Sequence, residues 1–387
     1  MLTPAEYRQR ILHDLAPLDP VRLPLASSRG LVAAEDVRSP IPLPVFDNSA
    51  MDGYALRLAD LTGSSLPVAG ESAAGSPSSA LPPGHAMKVM TGAPIPSGAD
   101  CVVPYEATGR GTVEVTILER PTIGQHVRRR GEDVAVGDVV VPADSVLSPR
   151  HLAVIAATGA AEVLVHPAPR IAVISTGAEL RQPGEPLTDG AIHDSNSTLL
   201  MALASGLGCP VVAHTVADDP LALLDQIAAL DADLVITTGG VSAGDYDVVK
   251  EALAPRGVWF GPLAMQPGKP QGFGRLDGTP IICLPGNPVS AYVSFYFFVR
   301  PAIDRLKGYI APTYPVRAKL VHPMTSPTGK TQFLRGEYAH GMVSQVRGPG
   351  SHLIGALAAA NALVEIPADI TDLAEGDEVD VWLMEQS

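Results

Sequence analysis

Apolar and polar positions change texture along the chain. Near the N-terminus, Tyr7, Ile11, Leu12 and Leu15 share one helical face. Thr3, Pro4 and Glu6 precede and open that stretch as a capping residue, a first-turn proline and an acid able to reach back, so the pattern predicts a helix. Between about Val102 and Val141, short alternations such as TVEVTIL are separated by glycine, which predicts a small β-rich module. The helix-like stretch HLAVIAATGAA follows it.

From Arg170 the pattern becomes apolar runs alternating with amphipathic segments: IAVIS, CPVVAHTV, DLVITTGG and PIICLPG. Such alternation predicts a parallel, doubly wound α/β sheet. Leu223, Leu224, Ile227 and Leu230 stand at helical spacing between two of these runs, with Asp219 as cap and Pro220 in the first turn. Three runs pass directly into the loops Ser175-Thr176-Gly177, Thr237-Thr238-Gly239-Gly240 and Leu284-Pro285-Gly286-Asn287-Pro288. All three leave carboxyl ends of strands, the edge at which open α/β sheets bind ligands, so they are expected to line one pocket. From about Tyr314, period-two alternation returns in VRAKL and EVDVWLM, predicting a separate small β-barrel or sandwich.

The chain has 387 residues, enough for two or three domains, and 46% hydrophobic content supplies several cores. Lys and Arg number 27 against 41 Asp and Glu, a formal net charge of −14. That balance argues against a general nucleic-acid or anionic-membrane surface, so any anionic substrate must be met by local cations. Cys101, Cys209 and Cys283 lie far apart, which suggests neither a disulfide framework nor a zinc knuckle and fits a cytoplasmic protein. The charged N-terminus shows no apolar signal core, and no apolar stretch approaches the ~20 residues that span a bilayer.

Candidate chemistry is concentrated in the loops. TTGGVSAGDYD places glycines between a strand and a helix start, where free backbone N–H groups suit an anion, but it is neither G-x-G-x-x-G nor a P-loop. Gly240-Val241-Ser242-Ala243-Gly244 also formally matches the nucleophile elbow of α/β hydrolases, which makes a serine hydrolase using Ser242 the rival enzyme reading. Asp277 and one of His322, His340 or His352 would have to complete that triad. Asp194, Asp219 and Asp245 are placed to cap helices, whereas Asp52 and Glu179 lie beside glycines in loops. Among cations, Lys269 between Gly268 and Pro270 has a constrained backbone, and Arg128 to Arg130 form a charged run.

Taken together, DNSAMDGYA, MTGAPIPSGAD, RRRGEDV, ISTGAEL, HDSNS, TTGGVSAGDYD, MQPGKPQGFG and LPGNPVSA resemble the molybdopterin molybdenumtransferase family, MoeA in bacteria and the gephyrin E-domain in animals. The resemblance implies a homodimer of four-part subunits. It sets an N-terminal linker domain at 1–46 and 133–168, and an inserted β-rich domain at 47–132. A MogA-like molybdopterin-binding α/β domain at 169–310 and a C-terminal β-barrel at 311–387 complete the subunit. It implies a Mg²⁺-dependent reaction in which adenylylated molybdopterin and molybdate become molybdenum cofactor and AMP, with a molybdopterin adenylyltransferase as possible partner.

By motif, the resemblance assigns active-site positions to Asp52, Thr91, Arg130, Glu179, Asp219, Asp247 and Lys269, with Asp52, Glu179 and Asp247 as the metal-holding set. It implies substrate contacts from Thr238, Gly239, Gly240, Ser242, Gly244 and Asp245, and from Pro285, Gly286, Asn287, Pro288 and Ser290. Arg335 in QFLRG and Ser351 in GPGSH are implied as further contacts from the C-terminal domain. One departure stands out: Gln266 occupies a position where a lysine is expected, which shifts oxyanion handling toward Lys269, Arg335, Ser290 and Ser351. A non-catalytic pterin-binding scaffold is the third reading, and retention of the candidate acids weighs against it.

Overall fold

The first helix, α1 (Pro4–Asp14), forms where its capping box dictates: Thr3 Oγ1 accepts from the Glu6 N–H at 3.2 Å, and the Glu6 carboxylate accepts from the Thr3 N–H at 2.8 Å. Its apolar face is buried at Tyr7, Ile11 and Leu15, while Leu12 is half-buried. The computed structural model describes residues 1–241, 247–309 and 314–384. Residue contacts divide the chain into two compact units, one of Met1–Val21, Gly30–Val32 and Val165–Ser387, the other of Arg22–Arg29 and Ala33–Leu164.

The Ala33–Leu164 unit is built on a five-stranded sheet of β1 (Gly53–Leu56), β2 (Ser65–Ser72), β3 (Ala86–Val89), β4 (Cys101–Pro104) and β5 (Glu114–Thr116), in the order β4-β1-β3-β2-β5. Tyr54, Leu56, Val103 and Val115 fill its core. Gly53 pairs with Val89 across the antiparallel β1 and β3, so Asp52, just before β1, comes to the same end of the sheet as Thr91, just after β3. Only glycine fits at position 53, because a Cβ there would lie 2.0 Å from the Val103 carbonyl oxygen. Helix α2 (Pro149–Ala157) comes near the end of the unit's sequence.

The larger unit contains the α/β layers. Its strands are β6 (Ile171–Thr176), β7 (Val211–Val216), β8 (Leu234–Thr238), β9 (Trp259–Pro262), β11 (Pro270–Leu276) and β12 (Thr279–Leu284); the short β10 (Met265–Gln266) lies outside this sheet. The six-stranded order is β7-β6-β8-β12-β11-β9, and β7, β6, β8 and β12 run parallel. The outer pair is antiparallel, because Asp277 and Gly278, both at positive φ, make the two-residue hairpin that joins β11 to β12. Helices α3 (Ser195–Gly206), α4 (Pro220–Ala228), α5 (Val248–Leu253), α6 (Pro288–Ser294) and α7 (Arg300–Leu306) pack on the sheet, and α1 joins the same core through Tyr7 and Phe298. From β6 the chain turns to β7 on one side and then to β8 on the other, so strand order reverses between β6 and β8.

The C-terminal strands β13 (Val316–Leu320), β14 (Thr331–Ala339), β15 (Met342–Gln345), β16 (Ala362–Ile366) and β17 (Glu378–Leu383) pair in the order β14-β15-β13-β17-β16. The pairing of β16 back onto β14 closes the ring, so the expected barrel forms and the sandwich alternative does not. Helix α8 (Ile354–Ala358) sits between β15 and β16 in sequence. The barrel shares a core with the α/β layers: Phe297 lies 4.2 Å, centroid to centroid, from Phe333 and meets Trp382 edge-on. The short β10 runs parallel to β14 with Met265 opposite Thr331, which fixes the barrel rim beside the loop that follows β9.

Candidate functional site

The carboxyl ends of β6, β8 and β12 meet around a cavity of about 1160 Å³, lined by Thr176, Thr238, Gly239 and Pro285 among others. This exceeds the about 300–1,000 Å³ of a usual small-molecule pocket and leaves room for a large ligand or two smaller ones. The cavity lies at the switch in strand order, where the sequence pattern placed it.

Its floor is held by Asp194, which is 2% exposed and caps α3 by accepting from the Ser197 N–H at 2.9 Å. The same carboxylate accepts from Ser197 Oγ at 2.7 Å, from Thr215 Oγ1 at 3.3 Å and, in a short contact, from Ser175 Oγ. Asp194 thereby ties β6, α3 and β7 together with charge-assisted bonds, which is how a carboxylate can be buried without an ion pair. Asn196 does the same across the next gap: its Nδ2 donates to Thr238 Oγ1 at 2.9 Å and to the Gly286 carbonyl at 2.7 Å. Gly239 adopts φ +95°, and a Cβ there would lie 2.7 Å from the Thr176 carbonyl oxygen, so the close approach of the two loops requires glycine.

The rest of the lining comes from the turn before β11, the start of α6 and the loop after β15. Gln271, 1% exposed, donates from Nε2 to the Gly268 carbonyl at 2.8 Å and to Ser294 Oγ at 2.6 Å, fixing the turn that carries Lys269. Asn287, at the start of α6, donates to Ser351 Oγ at 2.9 Å, while the Ser351 carbonyl accepts from the Val289 N–H at 3.1 Å. Arg335 is 3% exposed and does not line the cavity. Its guanidinium donates to the Gly350 carbonyl at 3.0 Å and to the Gly348 carbonyl, so it shapes the loop that presents Ser351. Burial holds the Arg335 pKa below its ordinary value.

Of the residues singled out in the sequence, Glu179, Asp247, Lys269, Thr238, Gly239, Gly240, Pro285, Gly286, Asn287, Pro288, Ser290 and Ser351 line this cavity. Ser242, Gly244 and Asp245 lie outside the described residues. Asp219 caps α4, accepting from the Leu221 N–H at 2.8 Å, and is not part of the lining; its neighbour Asp218 is, and accepts from the Ala178 N–H at 2.8 Å. Asn196 and Lys330 also face the cavity, although the sequence patterns did not mark them. Asn196 carried a signal in HDSN, whereas Lys330 follows a glycine at the start of an ordinary alternating strand.

Asp52, Thr91 and Arg130 belong to the other compact unit. There Asp52 Oδ1 accepts from the Thr91 N–H at 2.7 Å and from Thr91 Oγ1 at 2.8 Å. The backbone bond, then the hydroxyl bond, and the charge of Lys88 hold the Asp52 carboxyl below the usual carboxylate range, so it is ionised and exposed. The exposed Arg130 follows the same logic in its backbone, whose N–H donates to Asp47 at 2.7 Å, while Arg129 pairs with that carboxylate at 2.7 Å. All three cysteines are buried free thiols, pushed up by desolvation to about 12 at Cys101 and Cys283 and about 11 at Cys209.

No group of three or more His, Cys, Asp or Glu side chains among the described residues forms a ready metal cage. Glu179 and Asp247 both line the cavity and offer carboxylate oxygens, the donor type that hard cations take.

Residues 2–159 match the family described as "MoeA N-terminal region (domain I and II)", residues 172–305 "Probable molybdopterin binding domain", and residues 317–384 "MoeA C-terminal region (domain IV)". Molybdopterin molybdenumtransferase 2 of Mycobacterium tuberculosis is 46% identical over 398 residues, spanning 97% of this chain and 98% of that protein. The Haemophilus influenzae molybdopterin molybdenumtransferase is 39% identical over 396 residues, covering 98% of each. A crystal structure of a molybdopterin biosynthesis MoeA protein from Pyrococcus horikoshii superposes with a TM-score of 0.87 at 30% identity, over 100% of both chains.

Proposed function

Since this chain belongs to the molybdopterin molybdenumtransferase (MoeA) family, we propose that it completes molybdenum cofactor biosynthesis by inserting molybdenum from molybdate into adenylylated molybdopterin, with release of AMP. The observation that carries the reading is a single cavity whose lining divides between the carboxylates Glu179, Asp218 and Asp247 and the residues Lys269 and Ser351. That division suits a substrate pair of a phosphoanhydride and an oxyanion. The comparisons favour neither the serine hydrolase nor the scaffold reading.

Release of AMP exchanges a phosphorus–oxygen bond of the anhydride for a new one to an incoming oxygen, supplied by water or molybdate, and negative charge accumulates on the departing phosphate. Backbone groups of the Thr238-Gly239-Gly240 and Pro285-Gly286 loops position pterin and phosphate, and their rigidity, set by Asn196 and Gly239, lowers the reorganisation needed. Lys269 and Ser351 receive molybdate. Glu179 and Asp247 would hold Mg²⁺ against the anhydride; when bound, that ion supplies charge neutralisation on the phosphates. Arg335 acts through the Gly348–Ser351 loop, and Asp52 is proposed as a further catalytic carboxylate, ionised beside Thr91.

The proposal includes a homodimer, supply of the substrate by a molybdopterin adenylyltransferase, and a cytoplasmic setting without nucleic-acid or membrane partners. The net charge of −14 supports the last point, and among the described residues no helix is long and apolar enough to cross a membrane. The test is to incubate the purified protein with adenylylated molybdopterin, molybdate and Mg²⁺ and then add a molybdenum-dependent apoenzyme. Activation that requires all three is the expected result, and activation equal to a protein-free control would reject the reading.

A further inference from the structure

The charge of the cavity lining is divided in space. Glu179, Asp194, Asp218 and Asp247 all come from loops or helix starts of the α/β layers. The lysines and arginines of the lining are Lys269 and Lys330 alone among the described residues, Lys269 just before β11 and Lys330 just before β14 of the barrel. Gln266, which also lines the cavity, is neutral.

The two lysines are rooted on one short segment. The Lys269 carbonyl accepts from the Leu263 N–H at 2.7 Å, and the N–H of Thr331, the residue after Lys330, donates to the Ala264 carbonyl at 2.9 Å. Lys330 is also held from its other side, where the Gly329 N–H donates to the Ala368 carbonyl at 2.8 Å and Gln332 pairs with Ile366. Its backbone is therefore fixed while its long side chain remains half-buried at the cavity. Among the described residues neither lysine forms an ion pair, whereas surface cations such as Arg22, Arg170 and Arg317 do. Two ammonium groups that line one cavity without a carboxylate partner are both open to an anion, and a bound anion offsets the like charge they bring there.

We propose that Lys330 is a second cationic oxyanion-binding residue of this cavity, sharing molybdate with Lys269. The inference rests on the molybdenum-insertion reading and adds a residue that sets affinity for the oxyanion. A lysine that merely solvates the rim would not alter anion affinity, and the charge division would then serve only to keep the acidic wall apart.

Equilibrium dialysis of inorganic molybdate against the full chain, read by metal analysis, separates these cases. Lys330→Gln is expected to weaken molybdate binding about tenfold, the loss of one charge-assisted bond, with Lys330→Arg recovering most of it. Lys319→Gln, on an exposed position of β13, provides the control for net charge and is expected to bind as the parent does. In turnover, Lys330→Gln should raise the half-saturating molybdate concentration with little change in maximal rate. Parent-like binding by Lys330→Gln, or equal loss in Lys330→Arg and Lys330→Gln, would overturn the role of Lys330 while leaving the insertion reading intact. Failure of the parent protein both to bind molybdate and to release AMP would remove that reading, and the Lys330 proposal with it.

Discussion

Asp194 and Asp52 are both aspartates next to strand or helix ends, yet their surroundings give them opposite uses. Asp194 is buried, caps a helix and accepts from Ser175, Ser197 and Thr215, so its oxygens are already committed to the protein. Asp52 is exposed, and its carboxylate accepts hydrogen bonds from one neighbour, Thr91, through a single oxygen. The first arrangement builds a site; the second presents an ionised carboxylate to whatever arrives. Proximity to a glycine or a helix start does not tell them apart, but the number and burial of their donors does.

The contrast can be broken most forcefully at Asp52. Asp52→Ala is expected to lower turnover by about 10²- to 10³-fold, the scale of removing one electrostatic catalytic group, without a change in thermal midpoint. Undiminished turnover in a steady-state assay would take Asp52 out of the chemistry. Asp194→Ala should behave the other way, with a loss of about 2–4 kcal/mol in urea unfolding from an emptied cap and stranded buried hydroxyls. A parent-like midpoint would show that its hydrogen bonds are dispensable.

Asp219→Ala, which removes only the cap of α4, is expected to cost about 1 kcal/mol by the same measurement. A loss as large as that of Asp194→Ala would erase the distinction between a cap and a network. The finest test is Thr91→Val. Hydrogen bonds to the ionised form lower the Asp52 pKa, so removing the hydroxyl must raise it toward the ordinary carboxylate range. At a given acidic pH less of Asp52 is then ionised, and the acid limb of the rate profile moves to higher pH. A carboxyl carbon NMR titration showing no upward shift would remove Thr91 Oγ1 from the tuning of Asp52.

Much of this was legible in the chain itself. Alternating strands and helices from Arg170 announced the α/β layers, and the strand-end loops around Thr176, Thr238 and Pro285 do converge on one cavity. The antiparallel edge was less visible, although Asp277-Gly278 encodes it, because a two-residue turn weighs little beside long apolar runs. Asp218 and Asp219 show the limit of one-dimensional reading: adjacent and chemically identical, one lines the cavity and the other caps a helix, a difference set by backbone direction. Lys330 was hidden for a related reason, since only the pairing of β10 with β14 brings it beside the turn of Lys269.

The most direct measurement is release of AMP from adenylylated molybdopterin by the purified protein with Mg²⁺, in the presence and absence of molybdate. Release that depends on molybdate is the result expected of a cavity that joins an anhydride to an oxyanion. Tight binding of the nucleotide with no release under either condition would contradict it and return the cavity to the role of a scaffold.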